Sequence, residues 1–281
     1  VTRRKAKIRL GLSAVSGGGK TYSALLIAFG ICNDWSKIAI IDTENSSADL
    51  YAHLGNYNVL PLNAPFTPEK YSDAINQCEK EGMEVVIIDS ITHEWEGKGG
   101  CLEIVESLGG RYQDWAKVTP RHQQFIQSIL QSSCHIITTV RRKQDYEMIK
   151  DASGKVKVEK AGLKEITREG FEYELTVNLE MDIRHHAVAS KDRTGLFMGK
   201  PEFTPSAETG KAIAKWCDEG EAVLNLTKNI DWDEKLKKCE SQKELVELYN
   251  RYKKEVDNDI SLQTLFSSRK KELHAKKLNA A

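Results

Sequence analysis

A glycine-rich stretch ending in lysine and threonine, AVSGGGKT at 14–21, contains the residue types that hold phosphate groups. It fits the pattern G-x-x-x-x-G-K-[ST] except at Ala14, where the pattern begins with glycine. In such a loop, backbone N–H groups of small residues converge on oxyanions at the start of a helix, where the helix dipole adds positive potential. Alanine is the smallest replacement for the missing glycine, and it precedes the residues that wrap the phosphates. The stretch therefore still predicts a phosphate-binding loop.

The predicted ligand of this loop is ATP with Mg²⁺. Lys20 is expected to reach the β and γ phosphates, and the Thr21 hydroxyl is expected to coordinate Mg²⁺. The predicted nucleotide-binding residues are Ser16, Gly17, Gly18, Gly19, Lys20, Thr21 and Tyr22. The motif alone is only suggestive. It lies, however, between an alternating strand pattern and an apolar-faced helix pattern, which is the setting that the motif requires.

Carboxylates follow two other strand patterns. Asp89 closes VVIID and is predicted to hold Mg²⁺ through water, the alternative being that it merely caps the next turn. Glu44 follows KIAIID and is expected at the same edge of the sheet as the loop, where it would orient or deprotonate the attacking water. Glu94, in THEWEG, is its rival for this role. Either glutamate would otherwise be a surface carboxylate without a catalytic role.

The elements that must position these residues alternate between two hydrophobic periods. Strand patterns occur at 8–12, 37–42, 58–62, 84–89 and 134–140. Helix patterns occur at 21–31, 68–78, 99–110 and 121–131. Strands alternating with helices are typical of crossover connections, so the predicted fold class is α/β, with a mostly parallel central sheet flanked by helices.

Beyond residue 140 the pattern changes. A protruding polar hairpin is predicted at 145–160, with its turn at Ala152-Ser153-Gly154. Two neighbouring strands, at 171–182 and 185–197, are expected to extend the sheet. From about residue 219 only helical patterns remain.

The predicted domains are accordingly a core, residues 1–218, and a small helical C-terminal region, residues 219–281. Within the core, Trp95 and Trp115 are interpreted as core aromatics. His185 and His186 are interpreted as strand residues and not as metal ligands.

Composition narrows the class of protein. The formal net charge is zero, which argues against coating nucleic acid by bulk electrostatics. Five basic residues near the start form either a phosphate-contacting or a solvated face: Arg3, Arg4, Lys5, Lys7 and Arg9.

Six cysteines without metal-ligand spacing are interpreted as buried free thiols: Cys32, Cys78, Cys101, Cys134, Cys217 and Cys239. With no apolar run long enough for a bilayer and no signal peptide, the expected location is the cytoplasm, without membrane partners.

Over residues 6–218 the chain resembles the RecA-like recombinase ATPases, especially the phage-encoded, shortened RecA/Rad-type ATPases found beside single-strand annealing genes. The resemblance rests on AVSGGGKT, on IIDTENSSADLYAHLG, on VVIIDSITHEWEG and on CHIITTV. It implies a RecA-like P-loop fold, Mg²⁺-dependent ATP hydrolysis, and Glu44 as the catalytic glutamate. It also implies a location in the cytoplasm of a phage-infected or lysogenic bacterium.

The stretch SKDRTGLF at 190–197 is similar to the K-x-R finger of RecA-fold hexameric helicases, in which both cations reach the nucleotide of a neighbouring subunit. Lys191 and Arg193 match that pattern, so the resemblance implies self-association with nucleotide at the subunit interface. Cations delivered in this way stabilise the charge of phosphoryl transfer. The alternative is a polar strand end with two solvated cations.

One departure from the family pattern follows CHIITTV. RRKQDY replaces the sensor glutamine, which leaves Thr139 and Arg141 as candidate γ-phosphate sensors. The hairpin at 145–160 takes roughly the chain position of the second DNA-binding loop. Five basic residues in and just before the hairpin are expected to contact single-stranded DNA phosphates: Arg141, Arg142, Lys143, Lys155 and Lys157.

The sequence leaves three function classes open. The first is an ATP-hydrolysing, RecA-like protein that acts on single-stranded DNA in phage recombination or repair. The second is a nucleotide-dependent switch or interaction module that recruits a single-strand-binding protein or an annealing protein. The third, a metabolic P-loop kinase, is less favoured because no mobile basic lid or acceptor pocket is identified.

Overall fold

The structure is a computed structural model in which residues 4–150, 156–220, 232–239, 241–253, 256 and 260–278 are described. The chain divides into two compact units, Val1–Glu221 and Ala222–Ala281. None of the helices in the described residues combines the length and the apolar character needed to cross a bilayer.

The first unit is built on one sheet. Its strands are β1 (Arg9–Ala14), β2 (Ile38–Asp42), β3 (Asn58–Pro61), β4 (Val85–Asp89), β5 (His135–Lys150), β6 (Val156–Glu165), β7 (Val177–Met181) and β8 (Ala187–Asp192). Their order across the sheet is β3-β2-β4-β5-β1-β7-β8, and β6 pairs with β5 beside this path. The pairs from β3 to β7 are parallel, whereas β7 with β8 and β5 with β6 are antiparallel. The predicted mostly parallel α/β sheet is therefore confirmed.

Helices cover both faces of the sheet. They are α1 (Lys20–Cys32), α2 (Pro68–Lys80), α3 (Thr92–Glu96), α4 (Cys101–Ser107), α5 (Trp115–Gln131), α6 (Phe171–Glu174) and α7 (Ala207–Asp218). Successive strand residues point to opposite faces, so Ile40 packs in the core with Leu25 and Ile41 packs in the core with Phe125. Because both faces are buried, the parallel strands are apolar throughout their length.

Helix α7 was not identified from the sequence. It packs against α1 where Gly30 and Gly210 face each other. A Cβ at Gly30 would overlap the carbonyl of Ala207, and a Cβ at Gly210 would overlap the carbonyl of Ile27. Glycine at both positions is what lets the two helix backbones approach so closely.

The strands predicted at 171–182 and 185–197 are shorter than expected. The first begins only at Val177, because Phe171–Glu174 forms a helical turn that buries Phe171 and Leu175 on the same side. The second is reduced to Ala187–Asp192, so His185 and His186 lie outside it.

The predicted hairpin is an extension of the sheet. β5 runs without a break from the parallel sheet into an antiparallel pair with β6, which extends from Arg142 and Glu165 to Lys150 and Val156 with one register shift between Asp145 and Tyr146. The predicted turn at Ala152-Ser153-Gly154 lies outside the described residues.

The second unit contains three described helices: α8 (Trp232–Lys238), α9 (Gln242–Arg251) and α10 (Ile260–Leu278). Its apolar side chains form a small core of their own, with Leu236, Leu245, Val256, Phe266 and Leu273 buried.

All six cysteines of the chain are free thiols, and all except the half-buried Cys32 are buried.

Candidate active site

The loop between β1 and α1 has the backbone that its glycines permit. Gly17 and Gly19 have φ angles of +80° and +78°, in the left-handed region that favours glycine. The N–H of Gly18 donates to the carbonyl of Val15 at 3.2 Å, and α1 begins directly afterwards at Lys20. The loop therefore ends at a helix N-terminus, which is the arrangement that binds anions.

Ala14 is accommodated beneath this loop. Its methyl group is fully buried, and a Cβ built on Gly18 would lie 2.7 Å from it. The methyl group thus fills the space under Gly18. The departure from the usual pattern changes the packing below the loop and leaves the backbone amides of the loop in place.

This packing predicts that Gly18→Ala weakens nucleotide binding by about tenfold, because an overpacked site costs about 1–3 kcal/mol. Gly18 has no positive φ, so its backbone tolerates alanine and the cost arises mainly from Ala14. The double variant Ala14→Gly/Gly18→Ala should recover most of the affinity, measured with a fluorescent ATP analogue. Ala14→Gly alone is the control and should bind as the wild type does. If the double variant is as weak as Gly18→Ala, the proposed packing is wrong.

Thr21 and Asp89, which the sequence predicts to hold Mg²⁺, lie next to each other in the structure. The Thr21 hydroxyl donates to Asp89 Oδ2 at 2.5 Å, and the hydroxyl of Thr139 donates to the other oxygen of the same carboxylate. Burial raises the pKa of Asp89, while these two hydrogen bonds and nearby Lys20 oppose that shift. Thr139 is fully buried, so its hydroxyl supports Asp89 and does not face the cleft.

The ammonium of Lys20 lies at the mouth of the loop. It donates to the carbonyls of Ala14 and Val15 at 3.3 and 3.2 Å. Burial lowers the pKa of Lys20, and the neighbouring Asp89 counteracts this effect. A partly desolvated cation of this kind attracts phosphate more strongly than a cation in bulk water.

Glu44 lies at the same edge of the sheet. Asp42, the last residue of β2, accepts hydrogen bonds from the N–H groups of Glu44 (2.6 Å) and Ala48 (2.9 Å), and so shapes the turn. The Glu44 carboxylate accepts from the Ser90 hydroxyl at 2.9 Å. Arg141 donates hydrogen bonds to the same carboxylate from two nitrogens, Nε at 2.9 Å and Nη2.

The rival glutamate, Glu94, is placed differently. Its side chain is only 1% exposed and its carboxylate is bound to His122 and Cys101. It does not line the cleft that contains Glu44. The geometry therefore favours Glu44 over Glu94 as the acid that faces a bound nucleotide.

These groups line one cleft of about 560 Å³. Its lining residues are Ser16, Gly17, Gly19, Lys20, Thr21, Tyr22, Glu44, Ser47, Tyr51, Asp89, Arg141 and His185. Of the predicted nucleotide-binding residues only Gly18 is outside this set, because it packs down onto Ala14. The rings of Tyr22 and Tyr51 lie 5.7 Å apart at one side of the cleft, which gives it an aromatic wall.

His185 reaches the cleft although the sequence placed it in a strand. It occupies the turn between β7 and β8 with φ +67°, and its ring lies 3.3 Å from the position of a Cβ on Gly19. Asp182 holds this turn by accepting the backbone N–H groups of Arg184 and His186, both at 2.9 Å. An aspartate that bonds to the backbone just after a strand is a turn signal, and it could have located His185.

The predicted K-x-R finger, Lys191 and Arg193, lies at the edge of the sheet opposite the cleft. Because β8 runs antiparallel to β7, Asp192 pairs with Val177 at the start of β7, far from the loop that follows β1. Lys191 and Arg193 both donate to the carbonyl of Tyr173, the latter at 3.1 Å. Neither cation can therefore reach the cleft of its own chain.

Some of the cations that were expected to contact DNA form ion pairs with glutamates of the same chain. Arg141 pairs with Glu44 in the cleft, and Arg142 pairs with Glu180 at 2.8 Å with its side chain only 14% exposed. Lys143 is exposed and lies 3.8 Å from Glu96. Lys155 and the side chain of Lys157 lie outside the described residues.

A mostly parallel sheet with a glycine loop between β1 and α1, and with acids at the ends of neighbouring strands, defines the P-loop class of nucleotide-binding proteins. A family model described as an AAA domain matches residues 6–236. Since this match covers most of the chain, the protein belongs to the AAA domain family, whose members are P-loop ATPases that bind nucleotide. No curated protein matches the chain at a significant level.

Proposed function

We propose that the protein is a RecA-like ATPase that hydrolyses ATP with Mg²⁺ and acts on single-stranded DNA in phage recombination or repair. The observation that carries the hydrolytic part is the convergence of Lys20, Thr21, Asp89 and Glu44 in one cleft. The DNA, the phage context and a location in the bacterial cytoplasm rest on the resemblance described above.

The donors present suit Mg²⁺, which prefers oxygen ligands. The Thr21 hydroxyl and the Asp89 carboxylate lie 2.5 Å apart and both line the cleft. These two residues would hold the ion, Asp89 through water. When bound, Mg²⁺ neutralises phosphate charge. The loop amides and Lys20 would hold the polyphosphate, and Glu44 would orient the attacking water and accept its proton.

Arg141 is proposed as the γ-phosphate sensor. Its guanidinium forms an ion pair with the Glu44 carboxylate and also lines the cleft in which the phosphates would bind. A terminal phosphate would compete for this cation. Transfer of Arg141 to the phosphate would leave Glu44 without its cationic partner and raise its basicity, so that water activation follows triphosphate binding.

Lys191 and Arg193 are proposed to act on the nucleotide of a neighbouring subunit. The support is their position at the sheet edge opposite the cleft, together with the two backbone carbonyls, of Glu172 and Tyr173, that orient the Lys191 ammonium. Self-association would then place nucleotide at the interface between two copies.

The test is complementation between two inactive variants. We expect Lys20→Ala and Arg193→Ala to lose most ATPase activity when assayed alone, and an equimolar mixture to regain part of it. In the mixture, an intact loop in the Arg193→Ala chain can meet an intact Arg193 in the Lys20→Ala chain. The wild-type specific activity should rise with protein concentration and with added single-stranded DNA.

The matched control is Lys211→Ala, an exposed lysine of α7 that pairs with Glu208. It should behave as the wild type in every assay. Wild-type turnover by Arg193→Ala, or a mixture no more active than its components, would exclude the shared site.

The second candidate function is a nucleotide-dependent module that recruits a single-strand-binding or annealing protein. The engagement of Arg141 and Arg142 in ion pairs favours it, because it removes two of the cations expected to grip DNA. The same assay separates the two functions. ATP turnover that single-stranded DNA leaves unchanged, but that a single-strand-binding or annealing protein stimulates, supports the recruitment module.

A further inference from the structure

Three metal-ligating side chains of different chemistry meet inside the first unit, away from the nucleotide cleft. Glu94 of α3, Cys101 at the start of α4 and His122 of α5 each offer one ligand atom, and these atoms all lie within 4.8 Å of one another. All three residues are buried, with exposures of 1%, 0% and 5%. Ionisable groups this deeply buried need partners that compensate for the loss of water.

We propose that Glu94, Cys101 and His122 form a binding site for a divalent transition-metal ion of borderline softness, with Zn²⁺ as the best match. Thiolate, imidazole and carboxylate are the ligand types that Zn²⁺ binds, and three protein ligands leave one position for water. The inference does not depend on the proposed ATPase activity.

The distances fit such a site. Glu94 Oε1 lies 3.1 Å from Cys101 Sγ and 3.0 Å from His122 Nδ1. Zinc bond lengths of about 2.0–2.3 Å with tetrahedral angles place neighbouring ligand atoms about 3.3–3.5 Å apart. Small rotations of these side chains would therefore open the space that the ion needs.

The charges fit as well. A thiolate and a carboxylate together carry two negative charges, which a divalent ion neutralises, and a neutral site is the kind that an apolar interior tolerates. Apolar side chains pack around the triad, with Val105 and Val118 buried and Trp95 packed edge-on to the His122 ring. The Cys101 thiol donates a hydrogen bond to Glu94 Oε1, and a divalent ion that replaces this proton would compensate the thiolate and the carboxylate together.

The backbone is shaped to bring these ligands together. A Cβ on Gly100 would lie 2.7 Å from the carbonyls of both His93 and Glu94. Glycine at this position lets the start of α4, and with it Cys101, approach the end of α3. Sequence spacing did not reveal the site, because Cys101 comes seven positions after Glu94, and His122 comes twenty-one positions after Cys101.

Such an ion would tie the short helices α3 and α4, which bury few side chains, to the longer helix α5. Helix α4 has only seven residues and buries Cys101 and Val105. Metal binding would supply folding free energy to this segment. Helix α3 is also linked to the nucleotide cleft, because the N–H of Arg141 donates to the Thr92 hydroxyl at 3.0 Å.

The test is a Co²⁺ titration of the full chain, purified without a histidine tag and freed of metal by a chelator. We expect one Co²⁺ per chain, a thiolate-to-cobalt charge-transfer band, and displacement of the band by Zn²⁺ but not by Mg²⁺. Cys101→Ser should lose the band and bind at least about tenfold more weakly. Cys32→Ser, which removes a half-buried cysteine elsewhere, should keep both.

Circular dichroism checks that each variant is folded, and the wild-type titration decides the matter if Cys101→Ser is not. The absence of a thiolate band in the wild-type protein would overturn the proposal and leave a purely hydrogen-bonded triad. A band that persists in folded Cys101→Ser would overturn it too, because another cysteine would then be the ligand. A Zn²⁺-dependent rise in Tm that Glu94→Gln reduces would support it.

Discussion

Glu44→Gln is expected to lower the rate constant of ATP hydrolysis by about 10²–10⁴-fold, the range that general acid–base catalysis supplies. Glutamine keeps the shape of the side chain and an oxygen for the hydrogen bond from Ser90. It cannot accept a proton from water. Quench-flow or steady-state measurements of phosphate release with Mg²⁺ and ATP give this rate constant.

ATP binding should survive the same substitution. The carboxylate that holds Arg141 is lost, so the guanidinium becomes available to the terminal phosphate, and the affinity for ATP should stay equal or become tighter. The control is Asp49→Asn, an exposed carboxylate on the segment that follows β2 and not part of the cleft lining. If Glu44→Gln turns over ATP at the wild-type rate, Glu44 is not the catalytic base.

The second large effect concerns stability. Arg9→Met is expected to destabilise the first unit by at least about 3 kcal/mol, because each hydrogen bond to a charged group contributes about 1.5–3 kcal/mol. Arg9 is only 7% exposed and donates to four carbonyls, those of Ile8, Leu130, Ser132 and Cys134. Methionine would leave buried acceptors without donors.

Two compact units need not unfold together, so a single denaturation curve is not sufficient here. Hydrogen exchange of the β1 and β5 amides in urea reports on the first unit alone. Lys7→Met, an exposed cation two residues earlier, is the control and should change stability little. Equal exchange rates in both variants would show that Arg9 does not stabilise the sheet.

Arg9 illustrates a limit of charge patterns. The sequence groups it with Arg3, Arg4, Lys5 and Lys7 as a phosphate-contacting or solvated face, and neither interpretation suits a buried guanidinium. Burial lowers its pKa to about 10, which still leaves it charged at neutral pH. Three of its four acceptors come from the end of α5 and the turn before β5, more than 120 residues along the chain. No local pattern contains that information.

The nucleotide cleft was largely predictable for a physical reason. Lys20 and Glu44 follow apolar strands, Asp89 is the last residue of one, and the carboxyl ends of parallel strands meet at one edge of a sheet. Strand order was not needed for this conclusion, since every parallel strand delivers its following residue to the same edge. The sequence by itself therefore determined the fold class and the chemical character of the cleft.

Only the tertiary structure decided which groups face one another. The grip of Arg141 on Glu44, the ring of His185 over Gly19, and the Glu94–Cys101–His122 triad each join segments far apart in sequence. Their positions depend on strand register, on where a turn bends, and on how closely helices approach at glycines. Hydrophobic periodicity reports which face of an element is buried, and it contains no information about the neighbour that covers that face.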